Sequence, residues 1–362
     1  MTRLLVIEPN LRSPDGHYAE FVRAAGAGAG GSPIDVYAHP DADGMLAAMP
    51  GVRPCAAEPR VGRPFAEWRT IFRAVREGIP FLVLTADGRH AAAVSAAGAR
   101  SGCAPGTACL FFHRAPTTGR DRFLLPFADA ARRHALAVAP TEEVARSLSE
   151  GGWRRVELVA YPALAAPFPP SPVPFSHLLM AGAARLNKGL DLVAGLASLW
   201  AGENRTIPLM VQVSKKHVVR HGRRERAVVA ALLSSGYRGL RVDGTAPDRG
   251  GYLERFRGAL VLAPYAREQF ASQVSGVVLD ALLHGAPVVA TRGTWPGKQV
   301  ERFGAGVTIG ERTVPALAEA VDRVLSEWQA YAGRACAAAE TLAREHDPRR
   351  LLEILEKGAA RP

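Results

Sequence analysis

The chain has 362 residues, of which 48% are hydrophobic, and a formal net charge of +11. This length suits two domains better than one, and the apolar content allows each domain to bury a core. No apolar run reaches the ~20 residues that cross a bilayer, and the four cysteines show neither a Cys-x-x-Cys pair nor zinc-ligand spacing. These features exclude an integral membrane protein, a disulfide scaffold and a structural metal site.

The excess positive charge comes mostly from arginine. Three explanations stay open: genomic base composition, anionic substrates such as nucleoside diphosphates, and an anionic membrane surface. Nucleic acid is not an expected partner, because no aromatic-rich basic stripe or known binding motif is present. The cysteine usage fits a reducing cytoplasm, and the first apolar stretch is too short for a signal peptide.

The first half of the chain alternates between short apolar runs and amphipathic runs. We predict strands at "RLLVIEP", "IDVYAH", "PFLVLTAD", "ACLFFHR", "ALAVAPT" and "VELVAYP", and helices at "HYAEFVRAAGA", "PFAEWRTIFRAVREG" and "EEVARSLSEGG". Continuous apolar strands joined by helical crossovers indicate a parallel sheet covered on both faces.

A proline-rich stretch, "YPALAAPFPPSPVPF", then interrupts this alternation and is typical of a semi-rigid linker. The pattern of strands and helices restarts after it and ends in a helical tail. We therefore predict an α/β protein with an N-terminal Rossmann-like domain over residues 1–163, a linker over 164–176, a C-terminal Rossmann-like domain over 177–340 and a helical tail over 341–362. Ligands of such sheets bind at the carboxyl ends of the strands, which we expect to face a central cleft.

Two loops of the first half are candidate sites. In "EPNLRSPDGHYAEF", Gly16 and His17 lie between the first strand and the first helix, where backbone N–H groups could hold an acceptor or a phosphate; capping of the helix by Ser13 or Asp15 is the alternative. In "LFFHRAP", His113 ends a strand and is either a catalytic residue near the substrate or an ordinary loop histidine. The segment "GAGAGG" at 26–31 follows a helix rather than a strand, so we interpret it as a flexible turn and not as a dinucleotide loop.

The second half contains a clearer anion site. In "MAGAARLNKGLDLV", Arg185 and Lys188 lie in a short loop between a strand and a helix. Two cations beside a helix N-terminus can bind a diphosphate, since the cations supply charge and the helix supplies oriented N–H groups. A solvated loop with two ordinary charges is the alternative.

The segment "SGVVLDALLHGAPVVAT" predicts a helix that begins near Ser275 and Gly276, followed by a buried strand. The helix start can hold phosphate oxygens, and Gly276 permits close approach. Asp280 lies one turn further along in an apolar environment, where its carboxylate can accept hydrogen bonds from the two hydroxyls of a ribose. A surface-facing aspartate on an amphipathic helix is the alternative.

These residues resemble the GT-B glycosyltransferases of the retaining, family-four type. "GAARLNKG" resembles the phosphate loop of that family, and "SGVVLDALLHGAPVVAT" resembles the end of its E-x7-E motif with the strand that follows. The resemblance implies two Rossmann-like domains, with a C-terminal helix that crosses back to the first domain. It spans essentially the whole chain and is carried mainly by the second half.

The resemblance also implies residue roles. Lys188 matches the lysine that contacts the donor diphosphate, with Arg185 as a displaced substitute for the family's arginine; Asp280 matches the acid that binds the ribose; and His113 resembles the histidine near the reacting centre. Ser272 stands where the first acid of E-x7-E is expected, so Glu268 or Gln273 is a candidate replacement in contacting the donor sugar. No D-x-D-like motif is placed to hold a metal, and no cofactor is expected beyond the nucleotide-sugar substrate.

The sequence therefore predicts a metal-independent transferase that moves a sugar from a nucleoside diphosphate sugar to a glycan, lipid-linked or small-molecule hydroxyl, with retained stereochemistry. A nucleotide-sugar 2-epimerase and a non-catalytic nucleotide-sugar-binding scaffold stay open as alternatives. We expect a cytoplasmic protein with peripheral contact to an anionic membrane. A stripe of Trp68, Ile71, Phe72 and Val75 flanked by arginines motivates that contact, and packing of the stripe into the core is its alternative.

Overall fold

The computed structural model describes residues 4–14, 16–30, 33–55, 63–101, 107–115, 119–166, 170–213, 222–245 and 247–359. The chain divides into two compact units. Unit 1 comprises residues 1–164 and 346–362, and unit 2 comprises residues 165–345. Within the described ranges, no helix has the length and apolar character needed to cross a membrane.

Unit 1 is built on a parallel sheet whose strand order is β3-β2-β1-β4-β5-β6-β7. Its central strands are buried along their whole length, as continuous apolar sequences predict for a sheet covered on both faces. The strands are β1 (Leu5–Glu8), β2 (Ile34–Ala38), β3 (Val52–Pro54), β4 (Phe81–Val83), β5 (Ala108–Phe111), β6 (Leu136–Ala139) and β7 (Val156–Leu158).

The helices of unit 1 cover this sheet and bring several polar residues to one of its edges. They are α1 (His17–Gly28), α2 (Asp43–Ala47), α3 (Arg63–Arg76), α4 (Gly88–Ser101), α5 (Gly119–Leu124), α6 (Asp129–His134) and α7 (Glu142–Glu150), with 3-10 turns at Pro40–Ala42 and Leu125–Phe127. Each crossover helix runs back from the carboxyl end of one strand to the start of the next. The first turns of α3 and α4 therefore lie at the carboxyl edge of the sheet.

Unit 2 repeats this architecture with a parallel sheet in the order β10-β9-β8-β11-β12-β13. Its strands are β8 (His177–Met180), β9 (Leu209–Gln212), β10 (Leu240–Asp243), β11 (Ala259–Ala263), β12 (Val288–Thr291) and β13 (Gly306–Ile309). Its helices are α8 (Leu190–Gly202), α9 (Arg223–Leu233), α10 (Arg249–Glu254), α11 (Arg267–Phe270), α12 (Gly276–Leu283), α13 (Trp295–Phe303), α14 (Val314–Ser326) and α15 (Trp328–Glu345).

The C-terminal helix α16 (Arg349–Ala359) belongs to unit 1, where it packs against α1. His346 makes the junction: its Nδ1 lies 2.6 Å from the carbonyl oxygen of Tyr161, and its own carbonyl accepts from the N–H of Ala163 at 2.9 Å. The predicted fold class is thus confirmed, with two parallel α/β units and a final helix that returns to the first.

Three local predictions differ from the structure. Strand β3 was not predicted because it is three residues long and contains an arginine and a proline. Helix α4 is not among the predicted helices, although its alanine-rich sequence favours a helix. Helix α1 continues through Gly28, so the interpretation of residues 26–31 as a flexible turn is wrong for its first half, and Gly31 lies outside the described residues.

The helical part of that segment has a packing role. A Cβ atom at Gly26 would lie 2.6 Å from Cγ2 of Val52 and 3.0 Å from the carbonyl oxygen of Pro50. Helix α1 therefore approaches the turn before β3 more closely than any residue with a side chain allows. The glycine is explained by this contact.

We expect Gly26→Ala to lower the free energy of unfolding by about 1–3 kcal/mol, because the added methyl group overpacks the contact with Val52. Gly44→Ala in α2 is the control, since a Cβ there meets nothing within 4 Å. The control should be neutral or more stable by up to ~1 kcal/mol. Urea unfolding followed by circular dichroism measures both, and equal stability of the two variants would contradict the close packing.

Candidate functional site

The loop between β8 and α8 carries the predicted diphosphate residues. Arg185 is exposed, and Lys188 ends a 3-10 turn that leads through Gly189 into α8. The Lys188 ammonium lies 5.6 Å from the ring centroid of Tyr265, and a Cβ on Gly182 would lie 3.8 Å from its nitrogen. The lysine therefore turns back over its own loop instead of extending into solvent.

The electrostatic environment of Lys188 disfavours its charge. Burial of the ammonium, together with the nearby guanidinium of Arg185, lowers the pKa of Lys188 to about 8. No carboxylate of the described residues lies within ion-pair distance of Lys188. Part of the side chain remains accessible, so an anion could reach it. A bound anion would offset both the burial and the repulsion.

A second loop holds this one in place. Gly189 has φ of 82°, and a Cβ there would lie 2.5 Å from Cγ of Pro264, in the loop after β11. The N–H of Ala266 donates to the carbonyl of Asn187 at 2.8 Å. The Arg312 guanidinium donates to the carbonyl of Pro264 at 2.9 Å. The loops after β8 and β11 thus form one rigid support for Lys188.

Helix α12 begins beside this support, where the sequence predicts a helix start. Ser275 is its N-cap, and Oγ of Ser275 accepts from the N–H of Val278 at 3.3 Å. The N–H groups of Gly276 and Val277 have no acceptor within the helix. A Cβ at Gly276 would meet nothing within 4 Å, and a Cβ at Gly182 would lie 3.2 Å from Cγ2 of Val277. The structure therefore brings the phosphate loop, Lys188 and an open helix N-terminus together.

Asp280 lies in the second turn of α12, with 14% of its side chain exposed. Its Oδ1 is 3.4 Å from Nη2 of Arg249, and it also hydrogen-bonds the phenol of Tyr252. Burial raises the pKa of the Asp280 carboxyl, and the charge of Arg249 opposes that shift. Arg249 and Tyr252, both on α10, are functional candidates that the sequence did not reveal, because they lie about 30 positions away from Asp280.

The three candidate contacts to the donor sugar lie just before α12. Glu268 is exposed on the short helix α11, and Ser272 and Gln273 are partly exposed in the segment between α11 and α12. Arg267 anchors α11 by donating to the carbonyls of Arg292 and Gly310. All three candidates are therefore on a fixed segment.

In unit 1, His113 follows β5 and is half-buried. Its Nε2 lies 2.8 Å from the carbonyl oxygen of Leu84, which can only accept, so Nε2 carries the proton and Nδ1 is the acceptor nitrogen of the neutral ring. The ring centroid of His113 lies 5.3 Å from Phe21 and 5.5 Å from Tyr161. The orientation of the imidazole is therefore set by a hydrogen bond and by aromatic packing.

The loop before α1 is open at Gly16. This residue is the N-cap of α1 with φ of 90°, and a Cβ there would meet nothing within 4 Å. His17 is the first residue of α1, but its side chain and all of Asp15 lie outside the described residues. Ser13 makes no side-chain cap to α1.

A buried carboxylate at the end of β1 was not predicted. Glu8 is 0% exposed and accepts hydrogen bonds from Oγ1 of Thr85 at 2.7 Å and from both the backbone and the side-chain nitrogen of Asn10 at 3.0 Å. Burial raises the pKa of Glu8 in spite of these donors. Thr85 follows β4, so polar groups stand at the carboxyl ends of the adjacent strands β1, β4 and β5. A glutamate inside an apolar strand was the sequence signal for this cluster.

A charged network lies at the start of α4, beside the polar cluster around Glu8. His90 is 3% exposed and contacts Glu67 of α3 through Nε2 and Asp87 through Nδ1, the latter at 2.9 Å. Burial alone would lower the pKa of His90, but the two carboxylates outweigh it and raise the pKa to about 9. Asp87 also accepts from Arg89, and its pKa is held well below its usual range. Because its charges are paired, this network is a structural brace between α3 and α4.

The described side chains include no group of three or more His, Cys, Asp or Glu residues arranged to hold a metal ion.

No model of a protein family and no curated protein matches the chain. Solved structures do match it over almost its full length. HepE of Anabaena in complex with UDP and glucose matches with a TM-score of 0.71 and 14% identity, covering 99% of this chain and 100% of that one.

Two further structures match at similar levels. Sucrose-phosphate synthase from Thermosynechococcus elongatus has a TM-score of 0.74 at 13% identity, with 99% and 98% of the two chains covered. WaaG, a glycosyltransferase involved in lipopolysaccharide biosynthesis, has a TM-score of 0.68 at 16% identity, with 97% and 99% covered. At these identities the similarity concerns the fold, and the chain has the GT-B fold that the sequence predicted.

The His90 network predicts a pH-dependent contribution to stability. The folded pKa of about 9 lies above the ordinary value of 6.5, so the contribution is fully present below pH 6.5 and is lost as pH rises through about 9. We expect the difference in unfolding free energy between the native protein and His90→Asn, on the order of 3 kcal/mol at neutral pH, to shrink steadily toward pH 10. The exposed His134→Asn is the control, and a difference that does not vary with pH would contradict the charged network.

Proposed function

We propose that this protein is a glycosyltransferase that transfers a sugar from a nucleoside diphosphate sugar to an acceptor hydroxyl. One observation carries the proposal: the desolvated ammonium of Lys188, which has no carboxylate partner among the described residues, lies near the open N-terminus of α12 in the second unit of a GT-B fold. The structures of HepE in complex with UDP and with UDP-glucose support the nucleotide assignment, since they share this fold.

In the proposed reaction, the main electrostatic task is to stabilise the departing diphosphate. Lys188 and Arg185 supply positive charge, and the N–H groups of Gly276 and Val277 supply oriented donors. Ser275 fixes the start of α12, and Tyr265 connects it to Lys188 by a hydrogen bond to Ser275 and by its ring. Because these groups provide the charge that a metal would otherwise supply, the proposal is metal-independent. Retention of configuration is proposed from the family-four resemblance.

Asp280 is the proposed ribose ligand. Its contact with Arg249 is long for a charge-assisted hydrogen bond, at 3.4 Å, so a ribose hydroxyl can replace it at little loss. Glu268, Ser272 and Gln273 are the proposed contacts to the donor sugar. Once a ribose hydroxyl replaces it at Asp280, Arg249 would be free to face the nucleotide as a further cation.

The acceptor is proposed to bind unit 1. His113 is the proposed catalytic or orienting residue for the acceptor hydroxyl, and the carbonyl of Leu84 fixes the direction of its ring through Nε2. Gly16 and His17 follow β1, which β4 separates from β5 in the sheet, and the backbone there is proposed to bind the acceptor or a phosphate. The proposal includes three classes of acceptor: glycans, lipid-linked sugars and small molecules.

A cytoplasmic location is also part of the proposal. Cys55, Cys109 and Cys336 are free thiols in the structure, which supports a reducing compartment. Contact with an anionic membrane is proposed on separate grounds, from the surface described in the next subsection.

Incubation of the protein with a panel of nucleotide sugars tests the function. Transfer to an added glycan or slow release of the nucleoside diphosphate supports a transferase. Appearance of the C2 isomer of the donor would instead identify an epimerase, and binding without turnover would identify a scaffold.

We expect Lys188→Ala to weaken UDP binding by about 1.5–3 kcal/mol, because one charge-assisted contact is lost. The affinity of the native protein should also fall as pH rises through about 8, since Lys188 must be protonated to attract the diphosphate. Calorimetry measures both effects. The control is Arg238→Ala, an exposed cation at the amino edge of the same sheet, and an unchanged affinity in a folded Lys188→Ala variant would remove Lys188 from the site.

We expect His113→Ala to lower kcat by roughly 10²–10⁴, as is typical for a positioned acid–base or orienting group. UDP affinity should stay near the native value, because the proposed nucleotide residues belong to unit 2. The exposed His134→Ala serves as the control. Normal turnover of His113→Ala, or a loss of UDP binding in place of turnover, would argue against this role.

A further inference from the structure

Unit 1 carries a group of exposed aromatic side chains that the proposed transfer does not use. Phe65, Trp68, Phe123 and Phe127 are 61%, 38%, 73% and 63% exposed. We call these four residues the aromatic surface. All four lie in unit 1, and the described residues of that unit include one other large hydrophobic side chain that is exposed, Leu158.

The four rings lie on segments that pack against α4. Trp68 and Phe65 lie in the first turns of α3, and α3 contacts α4 where Glu67 meets His90. Phe123 and Phe127 lie on α5 and on the 3-10 turn after it, with ring centroids 6.5 Å apart. The N–H of Gly88 donates to Asp121 of α5 at 3.0 Å. Both segments are therefore tied to the first turn of α4.

The structure corrects the apolar stripe predicted for α3. Ile71 and Val75 are 0% and 3% exposed and belong to the core, so the alternative of core packing holds for them. Trp68 instead stacks on the half-buried Phe72, with centroids 6.1 Å apart. The exposed apolar ridge of α3 is thus made by side chains at positions 65, 68 and 72.

A basic ridge runs beside this apolar ridge. Arg69, Arg73 and Arg76 are exposed and occupy successive turns of α3. The one acidic residue of α3, Glu67, is buried against His90. Along its length, α3 therefore presents aromatic rings and guanidinium groups to solvent. The nearest exposed carboxylate, Glu77, directly follows the helix and lies 3.4 Å from Nη2 of Arg76.

This combination matches the interface of an anionic bilayer. Tryptophan and phenylalanine enter the headgroup region, and each arginine near an anionic surface adds electrostatic attraction. A second copy of the chain fits less well, because a two-fold contact would bring the arginine ridges of both copies together. We propose that the aromatic surface and the arginine ridge dock unit 1 onto an anionic membrane.

The polar residues of unit 1 lie at the same edge of the sheet as this surface. The first turns of α3 and α4 and the ends of β1, β4 and β5 all belong to the carboxyl edge. Docking would therefore hold the region around His113 near the headgroups. The docking inference itself is independent of the proposed transfer activity.

Flotation of the full-length protein with vesicles tests the proposal. We expect binding to phosphatidylcholine vesicles that contain phosphatidylglycerol, little binding to phosphatidylcholine alone, and release at high salt because exposed charges are screened. The double variants Phe65→Ser with Trp68→Ser, and Phe123→Ser with Phe127→Ser, should each bind at least tenfold more weakly. A triple variant should lose the component of vesicle binding that depends on salt. It combines Arg69→Gln, Arg73→Gln and Arg76→Gln.

Matched controls separate docking from general effects. Leu158→Ser in unit 1 and Leu233→Ser in unit 2 remove exposed apolar side chains outside the surface and should leave vesicle affinity unchanged. Unchanged circular dichroism and UDP binding of the aromatic variants show that folding and the nucleotide site are intact. Four results would overturn the proposal: no flotation, equal loss in the leucine controls, self-association that the aromatic variants abolish, or tighter binding to a single-stranded oligonucleotide than to vesicles.

Discussion

The proposed nucleotide site depends on one unfavourable arrangement, the removal of the Lys188 ammonium from water without a carboxylate partner among the described residues. A flexible lysine would escape this position by extending into solvent. It does not escape because Gly189 brings its loop against Pro264 and because Arg312 ties the neighbouring loop down. The support has to be rigid, since the arrangement becomes favourable only when an anion arrives.

In unit 1, by contrast, a buried charge has carboxylate partners. His90 is also removed from water, but carboxylates lie on both of its ring nitrogens, so its pKa moves up instead of down. Breaking such a pair leaves an uncompensated charge, whereas keeping it provides no attraction for a ligand. Burial alone therefore does not mark a binding site. The sign of the pKa shift separates the two cases, because a depressed lysine lacks a partner and a raised histidine has one.

Much of the fold could be predicted from sequence because it is encoded locally. Apolar runs gave the buried strands, and the Ser275–Gly276 pair marked the start of α12 where the structure has it. The partners of the site could not be predicted in this way. Arg249 reaches Asp280 across about 30 positions, and Thr85 reaches Glu8 across 77, so neither contact leaves a periodic signal in the sequence. Pairings at such separations are determined by sheet order, which the sequence indicated only as a fold class.

Asp280 lies between Lys188 and His90 in how strongly its charge is paired. Its carboxylate is buried and paired, but the contact with Arg249 is 3.4 Å long, so the pair holds the carboxylate in position and is weak enough to exchange. A loosely paired group suits a ligand that binds and leaves in each turnover, whereas an unpaired cation suits a ligand whose negative charge grows during the reaction.

An exposed aromatic ring is the apolar counterpart of an unpaired charge, because covering it with another apolar surface is favourable. Phe123 and Phe127 remain in water although neighbouring alanines of the same segment are buried, so the packing of unit 1 does not supply that cover. A surface outside the chain is what such residues require, and the exposed arginines Arg69 and Arg73 of α3, in the same unit, favour one that is negatively charged.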